Sequence, residues 1–114
     1  DWAERPENRE LLVNFLAGLI RGKEWAHRPE NREQLIEIWM QETQSPRAVA
    51  EQMYEYYIVQ HPQLVDASDV RPGPIQAVIK IQQELEDLPP LPPESQWLDR
   101  SFVERARQVA AAAR

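Results

Sequence analysis

Pro6-Glu7-Asn8-Arg9-Glu10-Leu11-Leu12-Val13-Asn14-Phe15-Leu16-Ala17-Gly18-Leu19-Ile20-Arg21-Gly22-Lys23-Glu24-Trp25-Ala26 is the stretch on which the fold class turns. Leu12, Phe15, Leu16, Leu19 and Ile20 recur at intervals of three and four, which places them along one side of an α-helix. Pro6 suits the first helical turn, where a missing N–H costs nothing, and Glu7 favours the positive end of the helix dipole. Gly22 weakens the segment slightly without ending it. The spacing therefore predicts a helix from about Pro6 to Ala26.

Outward from this segment the same period returns. A second helix is expected from near Pro29 to near Thr43, with Leu35, Ile38 and Trp39 on a shared face. A third is expected to begin with Ser45 as N-cap and Pro46 at the first helical position, its apolar side formed by Val49, Met53, Tyr56 and Tyr57. Gln60 to Pro74 holds three prolines, two aspartates, a serine and a glycine, and reads as a loop. A fourth helix follows from about Pro74 to Leu88, with Ile75, Val78, Ile79 and Leu85 turned inward. Pro89, Pro90, Pro92 and Pro93 exclude helix and favour an extended polyproline spacer. A fifth helix begins near Arg100 or Ser101, carries Phe102, Ala106 and Val109, and frays into Ala110 to Arg114. No alternating strand pattern appears, so the expected class is all-α: about five amphipathic helices in one small domain spanning residues 1–114.

Composition agrees with that class and narrows the function. In 114 residues, 42% are hydrophobic and 28% charged, as in an ordinary globular chain, while only three glycines leave little material for tight hairpins. The net charge of -6 argues against nucleic acid, whose phosphates select basic surfaces, and against anionic membrane. The absence of cysteine excludes disulfides, thiolate zinc sites and thiol nucleophiles. No apolar run approaches the roughly 18 residues of a membrane span, and no signal peptide is visible. The chain starts at Asp1 rather than Met, as expected of a processed or excised segment.

One nine-residue phrase occurs twice. Trp2-Ala3-Glu4-Arg5-Pro6-Glu7-Asn8-Arg9-Glu10 returns as Trp25-Ala26-His27-Arg28-Pro29-Glu30-Asn31-Arg32-Glu33. A helical-repeat array needs three or more such units. With two, the expectation is a pair of helix starts built with the same chemistry: an aromatic residue before the turn, a proline at the start of the helix and an acid in its first turn.

The order of these pieces resembles one family, the nitrate/sulfonate/taurine-type solute-binding proteins of ABC importers. The C-terminal region of that family reads as an aliphatic "FLxALIRGxEWA" helix, matched by Phe15 to Ala26, then a "P-E-N-R-E" helix start, matched by Pro29 to Glu33. A helix with a threonine, an alanine and a later tyrosine follows, as in Thr43, Ala50 and Tyr54. Next is a "G-x-I-Q-A-V-I-x-x-Q-x-E-L" helix, matched by Gly73 to Leu85, and a "Y-x-D-x-S-F-V" tail, similar to Trp97 to Val103. The chain departs from the pattern at Asp87-Leu88-Pro89-Pro90, where the family carries a glycine, and in a longer stretch from Gln60 to Arg71. The resemblance implies the helical C-terminal part of a two-lobed α/β binding protein, periplasmic or extracytoplasmic, whose lobes precede Asp1 and reach an ABC permease. It implies a bracing role rather than a ligand site or chemistry. The resemblance extends to some pyrimidine-synthesis proteins of the same fold, but none of their cofactor chemistry is visible here. The alternative is a stand-alone helical protein–protein interaction module.

The residues themselves offer few chemical sites, and no cofactor is expected. His61 with Asp66 and Asp69 is the best metal grouping, yet it lacks the convergent spacing of a zinc site and reads as loop polarity. Glu51/Glu55 and Glu84/Asp87 fall on polar helix faces, where carboxylates stay solvated and their pKa values do not separate. Ser45, Ser68, Ser95 and Ser101 have no nucleophile-elbow context, and no glycine-rich phosphate loop exists. The chain is therefore expected to be non-enzymatic. Pro89 to Pro93 satisfies a PxxP pattern, but its expected role is the spacer. The aromatic residues carry the remaining interest: Trp25, Trp39, Tyr54, Tyr57 and Trp97 are the packing or interface candidates. Tyr56 and Tyr57 are adjacent, so on a helix they point about 100° apart and cannot both be buried against one surface. An apolar face built for missing lobes is also expected to drive self-association of the isolated chain.

Overall fold

A computed structural model of the chain describes residues 1–62, 72–86, 89, 90 and 92–113. All regular structure among them is helical: α1 (Pro6–Ala26), α2 (Arg32–Thr43), α3 (Arg47–Tyr54), α4 (Pro72–Glu86) and α5 (Ser101–Ala112). Three 3-10 turns, Trp2–Glu4, Pro29–Asn31 and Glu94–Gln96, lead into α1, α2 and the approach to α5. A π-helical turn, Glu55–Gln60, prolongs α3. The all-helical class expected from the period of the apolar residues is the class observed.

The repeated phrase makes the same bend twice, although the first copy starts its α-helix at Pro6 and the second passes through the Pro29–Asn31 3-10 turn before α2. Arg5 and Arg28 are both extended, as the residue before proline must be, with ψ of 133° and 123°. Asn8 Nδ2 donates to the carbonyl of Trp2 at 2.8 Å, and Asn31 Nδ2 donates to the carbonyl of Trp25 at 2.8 Å. Each asparagine thus closes the bend that precedes its helix. The arginine after it lies over an aromatic ring of the partner helix: Arg9 over Phe102 at 4.1 Å and Arg32 over Tyr54 at 5.3 Å. Both copies are helix starts, as expected, and each also fastens its helix to another.

Two helix pairs result. The first joins α1 to α5, elements at opposite ends of the chain, through Val13, Ala17 and Ile20 against Ala106 and Ala110. Leu16, Phe102 and Val109 lean on that cluster from its edges. Three alanines at the crossing let the helix axes approach closely. Arg9 donates to Ser101 Oγ, and Ser101 donates from both its backbone N–H, at 2.9 Å, and its hydroxyl to Asp99 Oδ1. Those two bonds hold the Asp99 carboxyl below the usual aspartate range and fix the first turn of α5.

The second pair joins neighbours in sequence. Gln44, in the left-handed region with φ 51°, ends α2, and α3 returns across it. Leu35 and Ile36 pack on Ala50, Tyr54 and Ile58, with Trp25, Ala26, Trp39 and Met40 around them. Among the described residues Ile36 is the largest side chain removed completely from solvent. Ala50, Tyr54 and Ile58 lie four residues apart, and the wide π turn, in which His61 N–H donates to Tyr56 O at 2.9 Å, brings Ile58 inward. At the exposed edge Arg47 bridges Glu33 and Glu51, and the first of these contacts, with Arg32 also nearby, lowers the pKa of Glu33.

Several inward expectations are corrected here. On α1 the buried row is Val13, Ala17 and Ile20, whereas Phe15 and Leu19 face outward. Ile38 of α2 is exposed, and Ile36 takes its place in the core. Val49, Tyr56 and Tyr57 lie on the open side of α3 and its π turn, because Ala50 and Tyr54 supply the contact with α2. Val78 and Leu85 of α4 are exposed, and only Ile75, Ile79 and Gln83 are half-buried. Ser45 caps nothing: its hydroxyl pairs with Thr43 Oγ1 at 2.7 Å, and Pro46 holds the cap position of α3. The expected Gln60–Pro74 loop is shorter at both ends, since Gln60 closes the π turn and Pro72 to Pro74 open α4; positions 63–71 lie outside the described residues.

The pairs do not close into a sphere. The radius of gyration is 18.0 Å, where a compact chain of this length has roughly 13 Å. The accessible surface is 8460 Å², where a compact 13.4 kDa monomer exposes roughly 6,500 Å². The difference of about 2,000 Å² belongs to the chain as a whole, in which α4 packs extensively on no other described helix.

Candidate functional site: an apolar seam between the helix pairs

The open surface has a centre. A groove of about 540 Å³ runs between the two pairs. Its floor combines Ile20 of α1 and Val103 of α5 with Leu35 of α2 and Ile58 of the π turn. Leu19, Trp39, Met53 and Tyr57 form its walls, and Gly18, Gly22 and Ala26 keep the α1 side low. The groove is open to solvent, so its apolar lining forms a concave surface rather than an interior void.

The chemistry of the lining is narrow. Lys23 and the Tyr57 hydroxyl are the only groups in it able to carry charge. No carboxylate, imidazole or hydroxyl–imidazole pair converges there, and no group of three or more potential metal ligands exists among the described residues. Such a surface removes apolar area from water and excludes polar competitors. It holds no groups arranged for proton transfer or nucleophilic attack.

The aromatic candidates divide by position. Trp39 and Tyr57 line the groove. Tyr54 is buried in the α2–α3 core, and Trp25 packs on that core from the end of α1. Trp97 joins neither cluster nor the groove; it is half-buried after the Glu94–Gln96 turn, and its Nε1 is covered without a hydrogen-bond partner. Tyr56 and Tyr57 diverge as their adjacency requires, meeting edge to face at 5.0 Å, and the Tyr56 and His61 rings lie 4.4 Å apart, tilted by 48°. Asp66 and Asp69, the other members of the possible metal grouping, lie outside the described residues, as does Ser68. Glu51 is engaged by Arg47 at 2.9 Å, while Glu55 accepts from Gln60 at 3.2 Å, so this acid pair serves the surface of α3. Of the other pair Glu84 is exposed, and Asp87 lies outside the described residues. His27 closes α1: its Nδ1 donates to the Lys23 carbonyl at 2.9 Å, and its covered Nε2 has no partner.

Ile58 and Val103 are site residues that the sequence reading did not single out, whereas Met53 was placed on the apolar side of the third helix and does line the groove. The four-residue interval Ala50–Tyr54–Ile58 carried a signal for the first of them. The small residues of α1 carried another, because glycine and alanine on a helix face leave room for a neighbour.

No family model, curated protein or solved structure matches the chain. No described helix is long and apolar enough to cross a membrane.

Proposed function

We propose that this chain is the C-terminal helical segment of the substrate-binding component of an ABC importer, where it braces a ligand-binding lobe and performs no chemistry. The observation that carries the reading is the apolar seam. A groove floored by residues of both helix pairs, within a chain exposing about 2,000 Å² more than a closed monomer, is a surface shaped to be covered. The resemblance of the ordered motifs from Phe15 to Val103 to the tail of the nitrate/sulfonate/taurine-type binding proteins supplies the identity of the cover: the α/β lobes of the same polypeptide. On this reading the parent works outside the cytoplasm and delivers its solute to a permease.

The bracing follows from mechanics. A lobe resting on the seam would contact α1, α2, the π turn and α5 together, so two separate helix pairs would become one rigid support. Rigid backing keeps cleft residues of a two-lobed receptor at fixed positions while the lobes move.

The test begins with the coding sequence around residues 1–114, followed by purification of the complete product. Supporting results are α/β lobes encoded upstream and saturable binding of nitrate, a short alkyl sulfonate or bicarbonate, followed by tryptophan fluorescence or calorimetry. A reading frame without such lobes overturns the proposal. The same groove also fits a second reading, a helical interaction module that takes an apolar helix of a separate protein, because its lining is almost entirely aliphatic and aromatic. Absence of upstream lobes favours that module.

A further inference from the structure

Two apolar rows remain uncovered besides the floor of the groove. On α1, Leu11, Phe15 and Leu19 follow one another at four-residue intervals. On α4, Val78, Ile81 and Leu85 follow at three and four. All six side chains are between 48% and 79% exposed. No other described helix packs extensively on α4. We propose that two copies of this chain pair reciprocally, the α4 row of each lying along the α1 row of its partner.

The rows fit one another in form. A ridge built on four-residue spacing packs against one that includes three-residue spacing at a shallow angle of about 20°. At about 1.5 Å rise per residue, the α1 row spans roughly 12 Å and the α4 row roughly 10 Å, so three side chains on one meet three on the other. Aligned in the same direction, Leu85 reaches the neighbourhood of Leu19. That alignment brings Glu84 and Glu86 near the end of α1 that carries Arg21, Lys23 and Glu24, a net positive end that offsets part of the local repulsion between chains of net charge -6.

A second copy fits better than closure within one chain. Gln83 Nε2 donates to the Pro89 carbonyl at 2.6 Å, tying the end of α4 to the proline run, and Gln76 Nε2 reaches Glu94 Oε2 at 3.5 Å. Held by both, α4 presents its row outward. Because one chain carries both rows, a two-fold axis makes the contact twice, the self-complementary geometry of most homodimers. The pairing rests on these rows and not on the transport reading, so failure of solute binding leaves it standing, and a monomeric chain leaves the transport reading standing.

The absence of cysteine makes a direct experiment available. Light scattering of residues 1–114 is expected to give twice the 13.4 kDa chain mass, falling on dilution. Phe15→Cys and Ile81→Cys variants, mixed and oxidised, are expected to cross-link to each other, while Phe15→Cys mixed with Gln52→Cys, on an exposed position of α3, is not. Leu85→Glu is expected to weaken the dimer at least about tenfold, equivalent to about 1.4 kcal/mol, with unchanged helix content by circular dichroism. A concentration-independent 13.4 kDa species overturns the proposal. So does a Phe15→Cys/Ile81→Cys double variant that closes its disulfide within one chain, since α4 would then cover its own α1. A dimer insensitive to Leu85→Glu and lacking the mixed cross-link overturns it as well.

Discussion

The α1–α5 pair and the α2–α3 pair begin with the same nine-residue phrase and end in different kinds of core. The first crosses on alanines, Ala17 against Ala106 and Ala110, and joins segments whose contact residues Arg9 and Ser101 are 92 positions apart. The second is filled by Leu35, Ile36, Tyr54 and Ile58 and joins helices separated by a three-residue turn. The difference shows how one local device serves two packing regimes. The asparagine bend and the arginine over an aromatic ring set where each helix starts and which ring it meets. The size of the side chains beyond that point sets how closely the partner approaches. A distant partner also requires more loop entropy to be overcome; the α1–α5 contact is fastened by Arg9, Ser101 and Asp99, and the local pair by the exposed Arg47–Glu33 bridge.

That contrast makes the large-residue core the more sensitive to truncation. Ile36→Ala removes the one large side chain fully shielded from water among the described residues and is expected to destabilise the chain by about 3 kcal/mol, read from urea denaturation. The small-residue core should instead resist enlargement. Ala106→Leu, which places a branched side chain where the helices nearly touch, is expected to destabilise by about 2 kcal/mol, while Leu substituted at exposed Ala111 changes little. If Ala106→Leu is tolerated, the close approach of α1 and α5 is wrong.

The repeated bend offers an internal comparison. Asn31→Ala, at the part-buried bond to Trp25, is expected to cost about 1 kcal/mol, and Asn8→Ala, at the exposed bond to Trp2, less than half of that. Equal effects would show that burial does not separate the two copies. Asp99→Ala removes the acceptor at the start of α5 and is expected to cost about 1 kcal/mol at neutral pH. Its folded-state pKa is depressed by the Ser101 hydrogen bonds, so the stabilisation is complete above the ordinary aspartate value of 3.8 and is lost as pH falls through the lowered one. The gap between wild type and variant is therefore expected to close in acid. A gap that persists in acid would assign the effect to packing of α5 rather than to the carboxylate.

Much of the fold was legible from the residues. The Pro6–Ala26 helix was bounded correctly because proline, acidic first turn and apolar period agree there. The twin phrase was correctly read as two helix starts, and its matched asparagines and arginines, taken together, held the clue to the bonds they make. The choice of inward row was less legible. α1 carries leucines or other large apolar residues on both sides of its buried stripe, and periodicity favoured the bulky Phe15 and Leu19 over Val13 and Ala17. The same preference misplaced Tyr56 and Tyr57 on α3 and Val78 and Leu85 on α4.

The sequence by itself determined the class of structure, the start of α1 and the proline interruption after α4, because each of these depends on local backbone preference. Tertiary structure alone decided that α5 returns to α1, that alanines rather than aromatics meet there, and that an apolar seam stays open between the pairs. An amphipathic helix states that one side avoids water, but which of its rows is buried depends on the shape of the neighbour, and that shape exists only once the chain has folded.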